Sequence, residues 1–253
     1  MPAVPRSKRD LERLALQARA CFDREAQALA TVGLPREGRA LDVGCAAGHF
    51  AALLRQRHPR LAVHGINFDG GPIPDQVTER ATRNLSEYAV SPELPQGPFD
   101  LVYTRFHLRH TPEPEDLVAA MRGVAAPGGL VAAIETDDGA LRTFPEVAGL
   151  RQALDGIHTR YSMVDPFVGL RLRDLFLRAE LRDVRVVPIV VCSEDIGTDV
   201  FVQLLAPFLD GGRNGLPADQ LKTVVDGVEA WRTHPGAFAS WTFYCVGGRV
   251  GWH

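Results

Sequence analysis

The stretch Arg105-Phe106-His107-Leu108-Arg109-His110 sets two imidazoles three positions apart, directly behind the strand-like run Phe99-Asp100-Leu101-Val102-Tyr103. Imidazole exchanges protons near neutral pH, so His107 and His110 are candidates for a general base or for a group that orients a substrate. For His110 a purely structural place in a short helix competes with that role. No third ligand stands at metal-site spacing from the pair, so no metal is expected there. A second run, Glu135-Thr136-Asp137-Asp138, follows another apolar segment. Asp137 and its neighbours could hold a substrate amine or accept a proton, and a solvated loop would explain them equally well. Upstream, Leu41-Asp42-Val43-Gly44-Cys45-Ala46-Ala47-Gly48 puts small residues at a turn. There the backbone can approach a ligand, and a following helix would offer unpaired N–H groups to its polar end.

The elements around these runs alternate in type. Helical spacing of apolar residues over 10–32 predicts one or two amphipathic helices, stopped by Gly33 and Pro35. Residues 40–43 read as a strand and 50–57 as a helix, followed by strands over 61–66, 77–82, 99–103 and 130–134. A helix over 113–124 enters through Thr111-Pro112 and is closed by Pro127-Gly128-Gly129. Beyond it lie helices over 170–179, 199–209 and 219–231, a strand over 184–191 and a closing strand over 241–246. Strands alternating with helices imply right-handed crossovers and a sheet covered on both faces. The expected fold is therefore α/β, a doubly wound, mostly parallel, Rossmann-like sheet with added helices. Without repeats or a linker, one domain over 1–253 is expected. Its parts would be a helical lid to about residue 34, a core over 38–138 and substrate-side elements over 139–253.

Composition narrows the partners. The chain has 253 residues, 45% hydrophobic and 23% charged, with a net charge of −3. A pI near 6.2 is far from that of a dedicated nucleic-acid domain, and no apolar run is long enough to span a membrane. Cys21, Cys45, Cys192 and Cys245 are dispersed without a C-x-x-C pair, which fits reduced thiols. No apolar stretch follows the charges near Met1, so a cytoplasmic protein is expected.

Taken together and in order, the turn 41–48, Phe99-Asp100-Leu101-Val102 and Pro127-Gly128-Gly129 resemble class I S-adenosylmethionine-dependent methyltransferases. The small-molecule branch of that family opens with a phrase like Glu12-Arg13-Leu14-Ala15-Leu16-Gln17, and the likeness runs over 12–135. The resemblance implies S-adenosyl-L-methionine as cofactor, lying across the carboxyl ends of the strands. It places Gly44, Cys45, Ala46 and Gly48 beside the methionine part and Asp42 toward its ammonium group. Asn67, with Phe68, stands where the family pairs an acid with the ribose, and Asn84-Leu85 stands near the adenine. Tyr103, Thr104 and Arg105 would form the opposite wall, with Arg13 and Gln17 in the lid.

Three departures from the family pattern stand out. Ala46 replaces a glycine, at little cost if its φ is negative. Asn67 replaces a carboxylate, and the segment between Asn67 and Phe99 is short, so a crossover helix there is expected to be reduced or missing. Tyr161, Met163, Phe167, Phe201, Phe208 and Trp231 are read either as an aromatic lid or as core. The implied function is methyl transfer to a small, apolar or aromatic metabolite, with O, N or C as nucleophile and a homodimer left open. Asn67 and Asn84 also motivate an alternative: a cyclase, isomerase or lyase on the same fold, with the cofactor structural or absent. Asp42, Gly44 and Gly48 argue against a non-catalytic binding subunit.

Overall fold

The computed structural model describes residues 8–67, 80–82, 94–160, 165–210 and 215–252. Helix α1 (Lys8–Val32) is a single unbroken helix, because its 25 residues contain neither glycine nor proline. It buries Ala18, Cys21, Phe22, Glu25, Ala26, Leu29 and Val32, one face at helical spacing. Gly33, at φ 106°, ends it.

Strand β1 (Gly38–Val43), helix α2 (His49–Arg57), strand β2 (Leu61–Asn67) and strand β3 (Arg80–Thr82) follow. Then come β4 (Phe99–Arg105), a 3-10 turn (Leu108–His110), α3 (Pro114–Val124) and β5 (Ala125–Thr136). The remaining elements before β7 are a 3-10 turn (Asp138–Ala140), β6 (Arg142–Phe144), α4 (Leu150–Arg160) and α5 (Val168–Arg178). The chain closes with β7 (Arg182–Cys192), α6 (Ser193–Ile196), α7 (Thr198–Leu205), a 3-10 turn (Ala206–Leu209), α8 (Ala218–Thr233) and β8 (Phe238–Arg249).

The sheet order is β3-β2-β1-β4-β5-β8-β6, with β7 on the other edge of β8. Strands β1 to β5 are parallel, and β8 runs antiparallel to β5. This is the doubly wound α/β arrangement expected. Alternation along each strand divides the core. Leu101, Tyr103, Leu130 and Ala132 belong to the cluster that contains the α1 residues, while Val102, Val131 and Ala133 join α3 and α5 on the opposite face. The carboxyl ends of β1 and β4 lie side by side, with Asp42 opposite Tyr103 in the register.

Several elements differ from the sequence expectation. Strand β5 begins at Ala125 rather than residue 130, because Ala125 already pairs with Phe99 ahead of a register shift. Strand β8 runs over 238–249 rather than 241–246, since it takes partners on both edges. Helices α4 and α6 and strand β6 had no predicted counterpart. Of the third predicted strand, 80–82 pairs with β2, while 77–79 and the shortened crossover lie outside the described residues.

Candidate functional site

The turn after β1 is compact. The amides of Gly44 and Cys45 both donate to the Ile66 carbonyl at the end of β2, at 2.9 and 3.0 Å. Gly44, Ala46 and Gly48 have φ of 78°, 53° and 70°. Ala46 is thus in the left-handed region, so the condition under which alanine would be cheap is not met, and its Cβ meets the steric cost glycine avoids. The Ala46 and Ala47 amides have no acceptor among the described residues. At Gly44 a side chain is excluded as well as strained: a Cβ there would lie 2.4 Å from the His107 ring. The imidazole that follows β4 therefore packs on the turn that follows β1.

Asp42 is buried beside that turn. Its Oδ2 accepts from the Tyr103 hydroxyl at 2.9 Å, while Oδ1 has no partner among the described residues. Burial pushes its carboxyl up to about 7, against the opposing effects of the Tyr103 hydrogen bond and the Arg105 charge.

Arg105 donates to both oxygens of Glu25, at 2.9 and 3.0 Å, and lies over the Phe50 and Phe106 rings. Glu25 is fully buried on α1; burial raises its carboxyl pKa, which Arg105 opposes. Sequence reading missed it, although it falls in the stripe formed by Phe22, Ala26 and Leu29. A carboxylate on an apolar helix face calls for a buried cation, and that is the signal that would have found it.

The histidine run is anchored from below. The Leu108 amide donates to Glu135 Oε1 at 2.6 Å, and the His107 and Arg109 amides act on the same carboxylate. Burial raises Glu135 to about 7, outweighing Arg109 and those amides. Arg109 holds Asp138 through two nitrogens and also donates to Thr136 Oγ1.

These parts face one cavity of about 640 Å³. Arg13 and Gln17 of α1, Asp42, Gly44, Cys45 and Ala46 line it, as do Arg105, His107 and His110. Other predicted residues lie elsewhere. Thr104 is buried and donates to the Val43 carbonyl at 2.8 Å, tying β4 to β1. Asp137 caps the following 3-10 turn by accepting from the Gly139 amide at 2.9 Å and is not in the cavity wall. Gly48 launches α2 behind the wall. The Asn67 side chain and all of Phe68, Asn84 and Leu85 lie outside the described residues, as do Tyr161 and Met163.

Sequence reading also missed Phe106, Trp241 and His49 as lining residues. Trp241 sits in the closing strand, where no motif marks it. His49 binds the Leu11 carbonyl, joining α2 to α1, and burial lowers its pKa. Of the aromatic residues considered for a lid, Phe208 reaches the cavity, while Phe201 and Trp231 pack on each other with centroids 6.3 Å apart. One end of the cavity thus offers backbone amides and a buried carboxylate suited to a small zwitterion; the other end is aromatic.

A family profile described as a methyltransferase domain matches residues 12–185. The chain is 32% identical over 106 residues to trans-aconitate 2-methyltransferase of Variovorax paradoxus, covering 41% of this chain and 40% of that one. It is 32% identical over 138 residues to demethylmenaquinone methyltransferase of Anoxybacillus flavithermus, covering 52% and 54%. The chain therefore spans about half the length of these relatives or less. Among solved structures, it resembles an Anabaena variabilis protein described as a methyltransferase from an antibiotic biosynthesis pathway. The TM-score is 0.61 at 14% identity, covering 90% of this chain and 98% of that one. A phosphoethanolamine N-methyltransferase of Haemonchus contortus, bound to S-adenosylhomocysteine, gives a TM-score of 0.54 at 16% identity, covering 92% and 53%.

Proposed function

The chain belongs to the methyltransferase-domain family, and from that premise we propose that it transfers a methyl group from S-adenosyl-L-methionine to a small-molecule acceptor. The observation that carries this is Asp42: a buried carboxylate with an unpartnered oxygen in the cavity wall, beside a turn whose Ala46 and Ala47 amides lack acceptors among the described residues. A buried carboxylate of this kind calls for a cation, and a methionine-type ammonium meets that demand while its carboxylate takes the amides. The residues present fit the cofactor.

Asp42 would hold the ammonium end, with Gly44, Cys45 and Ala46 against the amino-acid part. Arg13 and Gln17, on α1, would close over it. When bound, the cofactor supplies an electrophilic methyl group on a cationic sulfur. The protein's task is then alignment and exclusion of water. Tyr103 fixes the Asp42 carboxylate, and Glu135 fixes the turn that carries His107. His107, which packs on Gly44, would take a proton from the acceptor. Phe208 and Trp241 keep the far end dry.

The test is titration calorimetry with S-adenosylhomocysteine, followed by label transfer from methyl-labelled cofactor into a cell extract. Wild type should bind one molecule and label the low-molecular-weight fraction, and Gly44→Val should bind none while its circular dichroism is unchanged. Equal affinity in Gly44→Val removes the turn as the site, and label confined to macromolecules contradicts a small acceptor.

A further inference from the structure

Resting on that transferase reading, we infer that the acceptor is a carboxylic acid with an apolar body, anchored through its carboxylate on the free edge of the Arg105 guanidinium. A guanidinium carries five N–H donors in a planar fork, enough for a carboxylate on each of two adjoining edges. Arg105 uses one edge within the protein: Nε and Nη2 donate to the two oxygens of Glu25, at 2.9 and 3.0 Å. Nη1 has no hydrogen-bond partner among the described residues, so Nη1 and the second hydrogen of Nη2 form an unused edge. The group is also held in place. Glu25 is fully buried, and the Arg105 Cζ lies over the Phe50 and Phe106 rings, at 5.1 and 4.2 Å from their centroids. The Arg105 side chain is 10% exposed and lines the cavity. With an acid and two rings packed on it, the unused edge is what remains to face a ligand. A fork fixed in advance loses little freedom when a carboxylate docks on it.

The carboxylate of the cofactor does not need this edge, because the amides of Ala46 and Ala47 receive it in the reading above. The charges around the cavity agree with an anion. Among the described lining residues, Arg13, Arg105 and Arg109 stand against Asp10 and Asp42, and Asp42 is matched with the cofactor's ammonium group. The bound cofactor adds a cationic sulfur. Arg109 repeats the pattern of Arg105: Nη1 and Nη2 donate to Thr136 and Asp138, and its buried Nε has no partner among the described residues. Buried donors of this kind call for an acceptor.

The rest of the wall sets the body of the acid. Phe106, on which Arg105 packs, lines the cavity together with Leu204, Pro207, Phe208 and Trp241. The Trp241 indole N–H donates to the Asp137 carbonyl at 3.1 Å, which leaves its ring surface as what it offers a ligand. A carboxylate on the Arg105 edge therefore stands next to apolar surface that its own carbon skeleton can cover.

Calorimetry on protein saturated with S-adenosylhomocysteine tests this with 3-phenylpropanoate and two compounds of similar shape, 3-phenylpropanamide and 3-phenylpropylammonium. The acid should bind about tenfold or more tighter than either. Acetate, which lacks the apolar body, should bind about tenfold or more weakly than the acid. Arg105→Lys keeps a cation for Glu25 and removes the fork. It should cost 3-phenylpropanoate about tenfold or more and the amide less than about threefold, with circular dichroism unchanged. Equal or tighter binding of the amide, the ammonium compound or acetate overturns the inference, as does no binding of the acid or its unchanged affinity in Arg105→Lys. Should that variant unfold, the order of the probes on wild type still decides. Titrating S-adenosylhomocysteine and 5′-methylthioadenosine, which lacks the amino-acid part, into unloaded Arg105→Lys distinguishes the source of the carboxylate. A tenfold loss for S-adenosylhomocysteine alone gives the Arg105 edge to the cofactor and overturns the inference. Failure of S-adenosylhomocysteine to bind wild type overturns the transferase reading, and the inference with it.

Discussion

At φ 53°, Ala46 holds a backbone conformation that a Cβ makes costly by about 1 kcal/mol relative to glycine. Ala46→Gly should therefore raise or preserve stability, by up to about 1 kcal/mol in urea unfolding, with part of the gain offset by the freer unfolded chain. A loss of more than about 1 kcal/mol would show that the methyl group packs usefully. His107 belongs to the same contact. If it takes the acceptor's proton, His107→Ala should lower kcat by roughly 10²–10⁴ with cofactor affinity little changed. A fall below tenfold would leave alignment as the source of rate. In the sequence, residue type and its place behind the run 99–103 made His107 visible as a candidate, whereas Asp42 was marked by the resemblance to the methyltransferase family. Glu135 was visible as an acid but not as the buried anchor beneath the 107–110 turn, since that role depends on Leu108 reaching across from β4.

Among the elements, α1 is fixed to the sheet by the Glu25–Arg105 pair, whose acid is fully buried and whose arginine side chain is about 10% exposed. Removing one partner of such a pair leaves the other desolvated, so Glu25→Ala should cost about 3 kcal/mol in chemical denaturation, more than a surface pair would. A cost below 1 kcal/mol would mean that Arg105 finds water in the cavity. Strands β1, β2 and β4 and helices α2, α3 and α5 were legible because each is an apolar or amphipathic run with a glycine or proline boundary. Helix α4 was not read, although Leu150, Ala153, Leu154 and Ile157 stand at i, i+3, i+4 and i+7, because Gly149 before it and Gly156 within it interrupt the run. Strand β6 has only three residues and exists because β8 extends past β5 to pair with it. A contact made 94 or more residues away leaves no local trace in the sequence.

For the whole molecule, two buried acids, Asp42 and Glu135, titrate near 7 rather than in the usual carboxylate range. Between about pH 4 and 7 the folded chain keeps protons that the unfolded chain has released. The stability they contribute is full at low pH and is lost as pH rises through about 7. His49, whose pKa is lowered by burial, acts in the opposite sense on the acid side. The comparison is therefore between variants: Asp42→Asn should gain Tm over wild type at pH 8, and the gain should shrink by pH 5.5. Equal gains at both pH values would show that Asp42 does not titrate in this window. The doubly wound order was legible from the alternation of elements, and Phe208 was among the aromatic residues read as lid or core, whereas Trp241 was not marked, because the two rings meet only when the 3-10 turn after α7 and β8 close the fold. Among the described residues no helix is long and apolar enough to cross a membrane. The account stands or falls on Asp42 receiving the cation of the cofactor, and calorimetry with S-adenosylhomocysteine at pH 7.5 and 5.5, on wild type and Asp42→Asn, tests that directly. With Asp42 titrating at about 7, wild type should lose more than about tenfold in affinity on acidification. Asp42→Asn should bind weakly at both pH values; wild-type affinity in that variant, or no binding to wild type at pH 7.5, would contradict the account.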